Sequence, residues 1–182
     1  ETTVPEAYDA FLAGWSRFRA RTVEDYRQAL DWFNRAVELD PEYGRAWAAL
    51  AALYNEATER GWTAQLGLDP AQTRKLLATA LVHPTPLAYQ VEYELLMGAR
   101  KHEEAKAVLD KASALNPNDP DTYVMRSGYE AVVGSVDAAI ELMRTAMRLD
   151  PHYPAFDLYI LGWHYLRAGD FGQAIDYLQR AR

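Results

Sequence analysis

The prolines of this chain recur at nearly regular intervals, and the residues in front of them repeat. "AVELDPEY" at 36–43 returns as "AMRLDPHY" at 146–153, with a weaker echo, "ASALNPND", at 112–119. Each copy runs from an Ala through apolar positions to Asn or Asp and then Pro. Pro117 and Pro151 are 34 residues apart, Pro84 and Pro117 are 33 apart, and Pro41 and Pro84 are 43 apart. Such a period belongs to stacked-repeat architectures, where each unit buries its apolar face only against its neighbours.

Aligned on the prolines, the chain divides into five units, each a pair of helices. The unit at 120–151 is the clearest. Asp119 is an N-cap, Pro120 suits the first helical turn, and "DTYVMRSGYEAVV" stops at Gly134. The second helix, "VDAAIELMRTAMRL", ends before Pro151 because the residue preceding a proline avoids helical geometry. Ala139, Ile140, Met143, Ala146 and Met147 recur at three- and four-residue steps, the mark of an amphipathic helix. The spacing Ala29, Phe33, Ala36, Pro41 is repeated by Ala105, Leu109, Ala112, Pro117 and by Ala139, Met143, Ala146, Pro151. Ala174, Leu178 and Ala181 follow it to the last residues. In the first helices, Trp47, Leu50, Ala51 and Tyr54 match Leu158, Leu161, Gly162 and Tyr165. Small residues let helices approach, and the large one fills the space between them.

This signature resembles the tetratricopeptide repeat (TPR): Trp, Leu, Gly or Ala and Tyr in one helix, then Ala, a large apolar residue, Ala and Pro in the next. The resemblance implies an all-α fold, a right-handed superhelical stack of helical hairpins with about ten helices. It places one TPR domain over 1–182, with repeats at about 6–41, 44–84, 86–117, 120–151 and 155–182, the last truncated. Tyr93 stands where a small residue is usual. The second repeat carries a long connection, "ERGWTAQLGLDPAQ", with Gly61 capping one helix and Asp69-Pro70 opening the next. Its apolar Trp62, Leu66 and Leu68 fit either a turn folded back on the helices or a docking loop presenting Trp62.

Composition narrows the chemistry. The chain has no cysteine, which excludes disulfides and thiolate metal sites. A net charge of −7 argues against a nucleic-acid surface, and no apolar run is long enough to span a membrane. The opening "ETTVPEAYD" is no signal peptide and lacks an initiator Met, so the expectation is a piece of a longer protein. His83, His102, His152 and His164 are never paired at helical spacing, and no nucleophile elbow or phosphate loop appears. Glu103-Glu104 reads as a solvated helix start, and Arg17, Arg19 and Arg21 as the cationic close of the first helix. Neither a metal nor a cofactor nor a reaction is expected.

What remains is surface for a protein or peptide ligand. In TPR stacks the first helices line a concave face, so the resemblance places Tyr8, Phe11, Trp15 and Phe18 there in repeat one. It adds Arg45, Ala48 and Ala52 in repeat two, Gln90 and Glu94 in repeat three, Val124 and Gly128 in repeat four, and Phe156, Tyr159 and Trp163 in repeat five. An apolar stripe at helical spacing also fits core, and for repeat one both readings stand. The clamp that TPR domains use for acidic chaperone tails needs Lys, Asn and Arg where Ala48, Ala49, Ala52, Gln90, Val91, Glu94, Val124 and Met125 stand. Self-association through repeat five is the rival expectation, giving a homo-oligomer. The marks "AYDAFLAGW", "RTVEDYRQAL", Phe33, Ala36, Asp40-Pro41 and Trp47 are similar to openings of TPR regions in bacterial class III adenylate or guanylate cyclases. Similar openings occur behind bacterial winged-helix regulators. That resemblance implies a cytoplasmic, non-catalytic sensing or assembly region.

Overall fold

The computed structural model describes residues 2–182, and every regular element among them is an α-helix. A first compact unit runs to Arg100 and holds α1 (Pro5–Phe18), α2 (Val23–Leu39), α3 (Gly44–Glu59), α4 (Thr63–Leu66), α5 (Gln72–Ala80) and α6 (Pro86–Gly98). A second unit from Lys101 holds α7 (His102–Leu115), α8 (Pro120–Val133), α9 (Val136–Leu149), α10 (Ala155–Ala168) and α11 (Phe171–Arg180). The unit boundary falls in the turn of the third expected repeat. The described residues form 11 helices against about ten expected; the addition is α4, a single turn of 4 residues inside the long connection. None of these helices is long and apolar enough to cross a membrane.

The repeated motif ends three helices in the same way. Asp40, Asn116 and Asp150, closing α2, α7 and α9, all leave the helix in extended geometry, with ψ of 94°, 95° and 96°. The proline that follows each one denies it the helical region. Their backbone N–H groups still donate to the carbonyls of Ala36, Ala112 and Ala146, each at 3.0 Å. Their side-chain oxygens accept the N–H two residues on, from Glu42, Asn118 and His152, at 3.0, 3.2 and 2.8 Å. Asn and Asp, short side chains with an oxygen on Cγ, reach that donor well, which suits them to the position before the proline. The echo in the sequence is a device for turning the chain.

Helix starts follow local chemistry too. Thr22, Thr85, Asp119, Ser135 and Asp170 each accept the N–H three residues later, at 3.1, 3.3, 3.0, 3.4 and 3.0 Å. The expected start at Asp69-Pro70 is displaced. Asp69 accepts the N–H of Ala71 at 3.0 Å, spending its side chain on a turn, and α5 begins only at Gln72.

In the first unit α1 packs on α2, α2 on α3, and α3 on both α5 and α6. In the second, α7 packs on α8, α8 on α9, α9 on α10 and α10 on α11. The small–large–small spacing forms the core: Ala29, Phe33, Ala36, Ala105, Leu109, Ala112, Ala139, Met143 and Ala146 are all buried. Two glycines show how close these helices come. A Cβ on Gly14 of α1 would lie 2.7 Å from the Phe33 ring of α2, and one on Gly162 of α10 would lie 2.7 Å from Leu178 of α11. Tyr93, in the place of a small residue, is buried nonetheless.

Candidate binding surfaces

The aromatic residues of α1 do not form an open stripe. Phe11 is 1% exposed and is core, which corrects its expected place in the groove. Ala7, Ala10, Phe11 and Gly14 share one side of α1, and that side is covered because α1 meets α3 as well as α2. The Phe11 ring lies 5.9 Å from Phe33 and 5.5 Å from Tyr43, with the Arg45 guanidinium 4.9 Å from its centroid. Trp15 stacks on Phe11 at 5.8 Å, Phe18 lies 5.6 Å from Trp15, and Tyr26 lies 5.0 Å from Phe18. Trp15 and Phe18 are half-buried by these contacts, and Tyr8 alone of the four is exposed.

Trp62 extends the same series. It meets Tyr26 edge-on at 5.2 Å, carries the Arg60 guanidinium 5.0 Å from its ring, and its backbone N–H donates to the Ala57 carbonyl at 2.8 Å. Arg27 of α2 holds the loop from the other side, donating to the Gln65 carbonyl at 3.1 Å. Of the two readings of this loop, the turn folded back on the helices matches these contacts.

On α10 the arrangement is different. Phe156, Tyr159 and Trp163 are 46%, 44% and 45% exposed, while Leu158, Leu161 and Tyr165 of the same helix are buried. Phe156 stacks on Tyr159 at 5.9 Å, and Tyr159 meets Trp163 edge-on at 6.1 Å. The three rings form one band open to solvent. Beside it, Tyr159 joins Ile175, Leu178, Gln179, Ala181 and Arg182 around a shallow pocket. Val124, expected to line a groove, is half-buried against the cluster of Ile140, Met143 and Leu161. Arg45 is exposed, Ala48 is buried, and Ala52, Gln90 and Gly128 are half-buried.

Two polar arrangements escape sequence reasoning. In the first unit the buried Asn55 of α3 donates from Nδ2 to Glu94 of α6 at 3.0 Å and to Glu59 at 3.4 Å. Glu94 itself is exposed. Desolvation, then the Glu59 charge, push its carboxyl up to about 7, against the lowering pull of the Asn55 hydrogen bond. In the second unit Ser127 of α8 donates to the Val124 carbonyl at 2.6 Å, and its oxygen lies 3.2 Å from Nε2 of the buried His164 of α10. With the serine proton engaged, Nε2–H is the donor in that pair. Burial, then Arg167, push the imidazole pKa below its ordinary value. Both pairs join residues more than thirty positions apart, so the visible signal was only a polar residue at a core position. His83 and His152 are exposed, and no cluster of metal-ligating side chains occurs among the described residues.

No curated protein matches the chain. Residues 94–154 match the family model described as tetratricopeptide repeat. Among solved structures, the APC/C hetero-tetramer Cut9-Hcn1 aligns with 98% of the chain at 20% identity and a TM-score of 0.68. The chain spans only 33% of that protein's length. TTC0263, a thermophilic TPR protein of Thermus thermophilus, aligns with 96% of the chain and 89% of its own length, at 19% identity and a TM-score of 0.64. YrrB, described as a TPR protein with an unusual peptide-binding site, aligns with 99% of the chain and 84% of its own length, at 19% identity and a TM-score of 0.50. The family match is confined to residues 94–154, and the solved structures share the fold of packed helical hairpins.

Proposed function

We propose that the chain is a non-catalytic module that binds a protein or peptide, and that the aromatic band of α10 is its main contact. The carrying observation is that Phe156, Tyr159 and Trp163 remain nearly half exposed beside buried neighbours on the same helix. Large rings held side by side bury much area on association and have few rotors to freeze. The reading is further supported by a solenoid of this kind, YrrB, being described with a peptide-binding site. The similarity of 5–54 to TPR regions of bacterial nucleotide cyclases supports a place in a cytoplasmic bacterial signalling protein, as its regulatory or assembly region. A bacterial transcription regulator is the alternative parent, and the full reading frame would distinguish the two. The test of binding is selection of peptides from a displayed library on the intact chain, followed by hydrogen-exchange mapping of the complex. Protection of α10 around its aromatic band is expected. Protection confined to other helices would overturn the assignment.

A second reading, self-association, is favoured by one observation. Phe171 and Ile175 of α11 are 62% and 57% exposed, so a large apolar face adjoins the band. Sedimentation velocity over a range of concentrations separates it from peptide binding.

A further inference from the structure

Helices α1 and α10 share a register, fixed by Gly14 and Gly162. A Cβ on either glycine would lie 2.7 Å from the large residue of the paired helix, Phe33 or Leu178. In that register Phe11 stands where Tyr159 does, and Trp15 where Trp163 does. Yet Phe11 is 1% exposed and Tyr159 is 44% exposed, while Trp15 is half-buried and Trp163 is open. What differs is a covering helix. Helix α3 lies against α1 and brings Tyr43 and the Arg45 guanidinium to the Phe11 ring, at 5.5 and 4.9 Å. Just after Arg45, Ala46 and Ala49 are fully buried in the cluster that holds Ala7, Ala10 and Phe11. Small residues three apart let the α3 backbone approach the rings that project from α1.

The same contact recurs at the next hairpin. Ala48 of α3 corresponds to Tyr159, and it is fully buried in one cluster with Ala88 and Val91 of α6. Those two residues are again three apart and stand in α6 where Ala46 and Ala49 stand in α3. Twice in the first unit, the face that α10 leaves open is closed by the first helix of another hairpin. We propose that the α10 band binds an α-helix of this kind, with small residues three apart and an aromatic residue and an arginine just ahead of them. The helix lies along α10 as α3 lies along α1, its arginine over the Tyr159 ring as Arg45 is over Phe11. The proposal rests on the reading of the band as the contact surface, and it names the partner as a helix.

The probe is a synthetic peptide of residues 41–59, which contains α3 and its start. It is titrated into the isotope-labelled intact chain and followed by NMR. Shifts centred on Tyr159 and Trp163 are expected, with peptide helicity rising on binding. The peptide carrying Ala46→Leu and Ala49→Leu keeps its helix propensity but should bind at least about tenfold more weakly, since the added bulk holds the helices apart. No binding of the parent peptide, equal binding of the leucine peptide, or shifts centred on α1 would overturn the helix. If library-selected peptides still meet the band, but in extended form, the helix falls and the binding surface stands. If neither kind of peptide reaches the band, both fall. Concentration-dependent sedimentation with α10 protected in the absence of peptide would overturn it in favour of a second copy.

Discussion

On α1, Tyr8, Phe11, Trp15 and Phe18 follow one another at three- and four-residue steps, and on α10 Phe156, Tyr159 and Trp163 do the same. Phe11 is buried and Trp15 and Phe18 are half-buried, whereas all three rings of α10 are open. The difference lies in the helices around them. Helix α1 is packed by α2 and also touched by α3, so the side carrying Phe11 meets Tyr43 and Phe33. Within its own unit α10 is packed by α9 and α11, which cover Leu158, Leu161 and Tyr165 and leave the aromatic band uncovered. Helical periodicity tells which residues share a face. It does not tell whether a neighbour covers that face.

The strongest way to break this comparison is to truncate one ring on each helix. Phe11→Ala should cost about 3–5 kcal/mol, since it removes a buried ring from a close-packed cluster. Tyr159→Ala should change stability by only about 0.5 kcal/mol, as for a surface substitution. Urea denaturation of the two variants makes the comparison, and equal losses would show that α10 is also core.

Next in size is the close approach of paired helices, which the two regions share. Gly14→Ala and Gly162→Ala each place a Cβ within 2.7 Å of a core side chain, Phe33 in one case and Leu178 in the other. Each should cost about 1–3 kcal/mol by overpacking. Melting temperatures of the pair would sharpen the account. A neutral Gly162→Ala would mean that the α10–α11 hairpin yields where α1–α2 does not.

The units should also answer pH with opposite sign. His164 in the second unit has a folded pKa below its ordinary value of 6.5, so it is held neutral by the fold. Its contribution is fully present above that ordinary value and is lost as pH falls through the folded one. Glu94 in the first unit is favoured by acid. Hydrogen exchange resolved by unit should therefore show α8 and α10 losing protection toward acid, an effect absent in His164→Gln. A smaller loss than at Gly14 or Gly162 is expected at Gly169, whose φ of 81° ends α10. Gly169→Ala should lower stability by about 1 kcal/mol, because a side chain is strained in that region.

Much of the fold was legible because its signals are local. The Asp-Pro and Asn-Pro turns act through atoms two to four residues apart, and the Ala-large-Ala spacing lies on single helices. The displaced start of α5 was not legible, because Asp69 offers the same carboxylate to a cap and to a turn and only the backbone decides between them. Helix α4 was missed for a related reason: a single turn such as Thr63–Leu66 has no periodicity to detect. For the candidate surface, spacing shows which rings share a helix face, but the burial of Phe11 depends on Tyr43, a residue of another hairpin. The Asn55–Glu94 and Ser127–His164 pairs lie wholly in tertiary structure.

The central claim is that the α10 band recognises a partner while the α1 aromatics hold the fold. It is tested most directly by the double variant Tyr159→Ala with Trp163→Ala, measured beside the solvated control Glu103→Ala with Glu104→Ala. Affinity for a peptide selected on the wild-type chain, by calorimetry, and the melting temperature are read on the same samples. The double variant should lose at least about 2 kcal/mol of binding, as for removal of an interface hot spot, and keep its melting temperature. Unchanged affinity with a large fall in melting temperature would return both rings to the core and contradict the account.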